Sequence, residues 1–250
     1  MNNSTYTPSP AWPTQWPTNS FRAKPTLRLI FLVLGISLLV LLAGIGTLIA
    51  LHQLHRGAVA LVPALVIQLA LEAGVVAVIL RGLPALSGFS LRELGFRAIN
   101  GGQIGIAIGG AVVMAIVANG GASLIDALFH TTHEQQVVQM VRNVHNPAII
   151  AFFTIFAVVI APIAEETIFR VLVFNIGLRY RGFWFGAILS GVLFGAAHGD
   201  MFEALPLALA GIVLCAVYYR TRNAYAPMIT HGLFNAITVI ALFAFPQLTK

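Results

Sequence analysis

The chain alternates between long apolar runs and short polar segments. A helix needs roughly 20 apolar residues to cross a bilayer, and seven runs meet or approach that length. They cover residues 29–51, 58–80, 104–125, 147–180, 183–197, 205–219 and 225–245. This pattern predicts an all-α, polytopic membrane bundle of about seven transmembrane helices. The number becomes eight if a further helix lies within 126–146 or after Arg170.

The composition supports a membrane protein with one folded domain. Hydrophobic residues make up 58% of the chain and charged residues 9%, whereas soluble domains are about 25% charged. The mean hydropathy is +0.89. Residues 1–28 mix five prolines with Ser, Thr and Asn, a composition that cannot build a core. We therefore expect a disordered Pro-rich cytoplasmic tail over 1–28 and a single transmembrane domain over 29–250.

The basic residues predict the orientation of the bundle. With the N-terminus in the cytoplasm, ten of them fall on the inner side: Arg22, Lys24, Arg28, Arg81, Arg92, Arg97, Arg179, Arg181, Arg220 and Arg222. The outer side carries only Arg56, Arg142 and Lys250. This asymmetry follows the positive-inside rule, so we expect a multi-pass protein of the cell membrane, if the source is prokaryotic. We read the net charge of +6 as topology, with the lipid bilayer as partner and no nucleic acid.

Ionisable groups inside the fourth run indicate a functional site, because such groups are costly within a membrane. The run contains A-P-I-A-E-E-T-I-F-R over 161–170. Glu166 and Arg170 are four residues apart, so they share a helix face and can pair. Glu165 points about 100° away, toward a different neighbour, and is left free to act as a general base.

Two later runs carry similar pairs. Phe194 and His198 are four apart on the fifth span, and His231 and Asn235 are four apart on the last. Taken alone, each pair favours ordinary packing or an interhelical hydrogen bond. Two donors on one face can also stabilise an oxyanion. His198 lies deep from the cytoplasmic end and His231 shallow, so their convergence requires a tilted or broken helix.

The ordered trio E-E-x-x-x-R, F-x-x-x-H and H-x-x-x-N resembles the CPBP family of membrane proteases. These are the CAAX-processing and bacteriocin-immunity proteases, also called the Abi family. The resemblance covers about 91–245, including L-R-E-L-G-F-R at 91–97, with a catalytic core at about 148–245. It implies an intramembrane endopeptidase that cleaves a membrane-associated peptide or protein tail, in CAAX-type processing, peptide maturation or bacteriocin immunity.

Carried over by position, the resemblance also implies roles for six residues. Glu165, helped by His198, would activate water, and His231 with Asn235 would bind the oxyanion. Glu166 and Arg170 would be the supporting pair. Family members are called metalloproteases, and Glu165, His198 and His231 could supply three zinc ligands with water as the fourth. The same residues could run a metal-free glutamate mechanism, so the ion stays open.

Other features have simpler readings. Glu72, with Gln68 one turn before it, favours hydrogen-bonded packing over catalysis. The outer cluster of His130, His133 and Glu134 favours a solvated segment over a metal site. Two small-residue pairs, Gly105 with Gly109 and Gly191 with Gly195, predict close helix packing. The rival function is a transporter or non-catalytic scaffold that uses the same buried polar groups.

Overall fold

The computed structural model describes residues 61–87, 90–130 and 144–244. The expected tail (1–28) and first span (29–51) lie outside these ranges, and so do His133, Glu134 and most of the segment proposed for an eighth helix. Within the described ranges every regular element is helical, which confirms the all-α fold.

The helices follow the apolar runs. They are α1 (Leu61–Ser87), α2 (Gly101–Phe129), α3 (Pro147–Ile155), a first π-helical segment (Phe156–Ile160), α4 (Ala161–Glu166), a second π-helical segment (Thr167–Phe174), α5 (Asn175–Ala197), α6 (Ala204–Thr221) and α7 (Tyr225–Ala244). Five helical stretches in the described part are long and apolar enough to cross a membrane.

The longest stretch, Pro147–Ala197, divides where the sequence predicts a boundary between two spans. Arg181 (φ −143°, ψ 18°) and Gly182 (φ +81°, ψ −173°) have non-helical backbone angles. A positive φ at this value is accessible to glycine without strain. Residues 147–180 therefore form a first arm, and residues 183–197 form a return arm.

The two arms pack side by side in opposite directions. A Cβ added to Gly177 would lie 2.6 Å from the Cα of Gly186, so the backbones touch at that level. Farther from the turn, the Ser190 hydroxyl donates to the carbonyl of Phe169 at 2.8 Å. The contacting residues are farther apart in sequence the farther they lie from Gly182, which is the pattern of an antiparallel helical hairpin. One arm carries the first motif and the other arm carries the second.

Polar caps define the ends of the helices that frame this hairpin. Asn100 and Gln103 form a reciprocal capping box at the start of α2, which satisfies backbone N–H groups that lack helical partners. Asn146 caps the first arm by accepting from Ala148 N, and Pro147 follows at the first helical position. There the missing proline N–H costs nothing.

The connector 90–100 is fastened to one end of the bundle. The Tyr218 hydroxyl donates to the carbonyl of Leu94 at 2.8 Å and accepts from the Asn175 amide at 3.0 Å. The Asn223 amide donates to the carbonyl of Arg97 at 3.0 Å. The basic residues near these contacts, at the ends of α1 and α6, in the connector and in the 179–182 turn, therefore gather at the same end, as the charge pattern predicts.

Only one of the two small-residue pairs packs as expected within the described ranges. A Cβ on Gly191 would lie 2.6 Å from the Ala208 carbonyl oxygen, and one on Gly195 would overlap the Ala204 carbonyl, so α6 lies directly on the return arm. Gly105 and Gly109 have nothing within 4 Å of an added Cβ among the described residues. The packing prediction is confirmed for Gly191 with Gly195 and stays a prediction for Gly105 with Gly109, because the G-x-x-x-G spacing does not say which face meets a neighbour.

This contrast provides a matched stability test. Gly191→Ala is expected to lower the free energy of unfolding by about 1–3 kcal/mol, because the methyl group must displace the backbone of α6. Gly105→Ala should be neutral or slightly stabilising, since the methyl group meets no described residue and improves helix propensity. Thermal unfolding of both variants in the same detergent checks this. Equal midpoints would contradict the close approach at Gly191.

Candidate active site

The two glutamates of the first motif lie on α4, a short α-helix of about one and a half turns between two π-helical segments. Such segments change the hydrogen-bond register of a helix and are frequent at functional sites. Pro162, inside α4, has no N–H to continue the ladder. The first arm is therefore locally irregular at the point where the acidic side chains emerge.

Four predicted site residues form one chain of contacts. Arg170 Nη1 donates to Glu166 Oε1 at 3.0 Å. The same oxygen lies 2.9 Å from His231 Nδ1. On the other side of the ring, His231 Nε2 lies 3.8 Å from Glu165 Oε2. The order is Arg170, Glu166, His231, Glu165, with positive and negative groups alternating when the imidazole is protonated.

The contact between Glu165 and His231 corrects one expectation. The sequence predicts that Glu165 points toward a different neighbour from Glu166, but both carboxylates face the same imidazole, one at each ring nitrogen. Adjacent side chains on a helix point about 100° apart. The His231 imidazole, on α7, still reaches both carboxylates because each ring nitrogen faces one of them. The Glu166–Arg170 pair forms as predicted.

Arg170 is completely buried and is held on three sides. Besides Glu166, it donates through Nη2 to the carbonyl of Gly211 at 3.2 Å. Its guanidinium carbon lies 4.5 Å from the centre of the Phe194 ring, within the range of a cation–π contact. A buried guanidinium is tolerated only with such partners. Arg170 thus fixes the Glu166 carboxylate, which in turn orients His231.

His198 joins this group through Phe194. The Phe194 ring centre lies 4.8 Å from that of His198 and 5.6 Å from that of His231, edge-on to both. The two histidines therefore contact the same aromatic ring, despite their different depths along their spans. The break at Gly182 and the hairpin that follows it give the return arm this position.

The hydrogen bond of His198 identifies its reactive nitrogen. His198 directly follows Ala197, the last residue of α5. Its Nδ1 lies 2.9 Å from the carbonyl oxygen of Phe194. A carbonyl oxygen can only accept, so Nδ1 carries the hydrogen and the neutral ring presents the lone pair of Nε2. His198 is thus a helix-end residue, as its flanking Gly199 suggests, and its ring is oriented by its own helix.

Asn235 is placed differently from the other predicted site residues. Its Nδ2 donates to the backbone carbonyl of Ala157, in the first π-helical segment, at 2.7 Å. It lies on the same face of α7 as His231, one turn later. Its carboxamide thus joins α7 to the first arm beside the group formed by Arg170, Glu166 and His231.

Glu72 brings a third carboxylate to the site. Leu69, one turn earlier on α1, packs in a cluster that contains Ala161, and Val75, one turn later, packs in a cluster that contains Val171. Glu72 therefore lies level with α4, close enough to interact electrostatically with Glu165. Its Oε1 accepts from Gln68 at 2.8 Å, as the packing interpretation predicts. Its buried Oε2 has no hydrogen-bond partner among the described residues.

Zinc binding by Glu165, His198 and His231 stays a prediction. Across the described ranges no group of three or more His, Cys, Asp or Glu side chains is arranged to hold an ion. His231 Nδ1 lies 2.9 Å from Glu166 Oε1, and a neutral ring that donates from Nδ1 keeps its lone pair on Nε2, which lies 3.8 Å from Glu165 Oε2. The outer candidate His130 ends α2 in a left-handed conformation.

Two residues of the site were missed from the sequence. Phe194 entered the second motif as a spacing marker, yet its ring contacts Arg170 and both histidines. Gly232 was not singled out, yet a Cβ there would lie 2.6 Å from the carbonyl oxygen of Val158. The sequence indicated Gly232 only by its position next to His231, on a helix (α7) that must approach the first arm closely.

Comparison with known proteins identifies the region that contains this group. Residues 146–237 match the family described as Type II CAAX prenyl endopeptidase Rce1-like. The "Putative membrane peptidase YdiL" of Bacillus subtilis (strain 168) is 32% identical over 82 residues, which are 33% of this chain and 34% of that protein. The "Membrane-embedded CAAX protease MroQ" of Staphylococcus aureus (strain USA300) is 30% identical over 108 residues, or 40% and 43% of the two chains.

These matches confirm the resemblance over 146–237, a range that includes all three motifs. An uncharacterized 24.3 kDa protein of Escherichia coli is 34% identical over 101 residues, which are 38% of this chain and 44% of that protein. The chain thus spans between about a third and a half of the length of these relatives. No solved structure matches it significantly. With its apolar helices, the chain is a multi-pass membrane protein.

Proposed function

We propose, on the premise that residues 146–237 belong to the CAAX-protease family, that this protein is an intramembrane endopeptidase. It hydrolyses a peptide bond in a membrane-associated peptide or protein tail. One observation carries the proposal: Glu165 has a buried carboxylate oxygen with no hydrogen-bond partner among the described residues, beside an imidazole that Glu166 and Arg170 hold in place.

In the first step Glu165 accepts a proton from water as the water oxygen attacks the carbonyl carbon of the scissile bond. A buried carboxylate oxygen without a hydrogen-bond partner is poorly solvated, so it is available for proton transfer. The Nε2 lone pair of His198 can hold the same water, since Nδ1 is committed to Phe194. The product of this step is a tetrahedral intermediate with a negative oxygen.

In the second step the proton moves from Glu165 to the amide nitrogen, and the carbon–nitrogen bond breaks to give a carboxylic acid and an amine; the acid then releases its proton to water. His231 lies next to Glu165 and is held by Glu166. A protonated His231 between two carboxylates stabilises the negative oxygen electrostatically, the kind of interaction that contributes most in a water-poor site. No covalent enzyme intermediate is required.

The substrate is proposed to be the tail of a membrane-associated peptide or protein, reached from the lipid or from the basic end of the bundle. MroQ is named a CAAX protease, so a prenylated CAAX tail is one substrate class to test beside unmodified peptides. The basic end carries the connector and the 179–182 turn. The positive-inside rule supports a cytoplasmic location for this end, and we propose the same side for the N-terminus.

Cleavage by the purified protein tests this function. Wild type in detergent or liposomes is expected to cleave a peptide reporter, and His198→Ala to lower kcat/KM by about 10²–10⁴-fold, the usual contribution of an acid–base group. Reaction in H₂¹⁸O should place one labelled oxygen in the new carboxylate. His145→Ala, at an exposed histidine before the first arm, is the control.

Two outcomes would count against the proposal. Absence of cleavage of prenylated and unmodified reporters by wild type would favour the scaffold or transporter. Equal turnover in wild type and His198→Ala would remove His198 from the mechanism. A chelator added to the same assay addresses the metal directly.

A further inference from the structure

The first arm exposes a backbone carbonyl at Ala157. In the first π-helical segment, the N–H of Ala161 donates to Phe156, five residues back, instead of to Ala157. In that register the next donor, for Ala157, would be residue 162, which is a proline without an N–H. The carbonyl of Ala157 is therefore left without a donor from its own helix, and an unpaired carbonyl within a membrane is costly.

A side chain from α7 satisfies this carbonyl. Asn235 Nδ2 donates to Ala157 O at 2.7 Å. The approach is possible because Gly232, three residues earlier, has no side chain. A Cβ there would lie 2.6 Å from the carbonyl oxygen of Val158, next to Ala157. Gly232 and Asn235 together seat α7 on the irregular part of the first arm.

The position of the His231 side chain depends on this packing of α7 against the first arm. His231 adjoins Gly232 in sequence and lies one turn before Asn235, and its Nδ1 is 2.9 Å from Glu166 on the helix that follows Pro162. A shift of α7 along or away from the first arm would move the imidazole away from both glutamates. An ångström of displacement at a catalytic group can lower the rate about 10²-fold.

We propose that Pro162, Gly232 and Asn235 form a positioning device in which the proline frees a carbonyl and the asparagine binds it, so that α7 holds His231 between the two glutamates. Asn235 then acts through the placement of His231, not as a direct donor to the oxyanion. The inference rests on the proposed function for its kinetic readout, and on the fold alone for its stability readout.

A double-mutant cycle tests the device in the full chain. Asn235→Ala is expected to lower kcat about 10–100-fold with KM changed less than about twofold. The substrate contacts persist, whereas His231 is displaced from the two glutamates. In Pro162→Ala, the new N–H can bind the freed carbonyl. Adding Asn235→Ala to that background should then cost less than about threefold, a non-additive result.

The same four proteins give a readout independent of activity. Asn235→Ala should lower the thermal midpoint by about 2–4 °C in the wild-type background, as loss of one hydrogen bond implies, and by less than about 1 °C in Pro162→Ala. Asn119→Ala is the matched control, because its amide also donates to a backbone carbonyl, that of Ala115, but on an exposed face of α2. It should leave kcat unchanged.

Additive losses in both backgrounds would overturn the proposal and assign Asn235 a direct role at the oxyanion. If Pro162→Ala does not fold, Gly232→Ala decides, since a methyl group cannot act on an oxyanion. A lower kcat with KM retained supports positioning, and an unchanged kcat overturns it. If wild type cleaves no peptide, the proposed function fails while the midpoints still test the device.

Discussion

Glu165→Gln is expected to lower kcat/KM for peptide hydrolysis by at least about 10³-fold while the protein stays folded. Glutamine keeps the size and hydrogen-bonding shape of the side chain, but it cannot accept a proton from water at neutral pH. Loss of a general base costs about 10²–10⁴-fold. Steady-state cleavage of a fluorogenic peptide measures the effect, with the thermal midpoint as a check on folding.

The matched control for Glu165→Gln is Glu93→Gln. Glu93 lies on the exposed connector, where hydrogen bonds from the Ser90 backbone N–H and hydroxyl lower the pKa of its carboxyl. Removing this charge should change kcat/KM less than about twofold. Glu165→Gln activity within tenfold of wild type would show that another group activates the water, and Glu72 would be the first alternative to test.

Arg170→Met is expected to produce the largest loss of stability. The guanidinium is fully buried and joins Glu166, the Gly211 carbonyl and the Phe194 ring. Removing one member of a buried ion pair leaves an uncompensated charge and costs about 3–5 kcal/mol. The thermal midpoint should fall by roughly 10 °C or more in a chain of this size.

A second substitution separates charge from packing. Glu166→Gln combined with Arg170→Met removes both charges, so the double variant should recover part of the lost stability. Arg181→Met, at an exposed position in the turn between the arms, should shift the midpoint by no more than about 1–2 °C. A midpoint for Arg170→Met close to that of Arg181→Met would mean that the buried pair contributes little.

The site could be located from the sequence because its residues lie where ionisable groups are expensive. Glutamate, arginine and histidine within apolar runs indicate a functional site, because burying them in a membrane is costly. The i,i+4 spacing that lets Glu166 and Arg170 pair is a local property of any helix. The boundary between the fourth and fifth spans was equally local, since Arg181 and Gly182 interrupt the apolar pattern and glycine tolerates the positive φ found there.

The relation between helices was not available from local patterns. Two G-x-x-x-G pairs look alike in sequence, but only Gly191 and Gly195 face another helix among the described residues. Glu72 lies level with Glu165 because α1 packs beside α4, and spacing within α1 contains no information about that neighbour. The π-helical segments also depend on how the register of the whole arm adjusts around Pro162.

By itself, then, the sequence determined the helical membrane architecture, the hairpin break and the set of polar residues that form the site. These follow from the cost of polar groups in lipid and from the short-range geometry of the backbone. The tertiary structure alone decided that His231 lies between both glutamates, that Phe194 contacts both histidines, and that Asn235 binds a backbone carbonyl. The reason is physical: the rotation and depth of one helix against another depend on side-chain packing between segments distant in the chain.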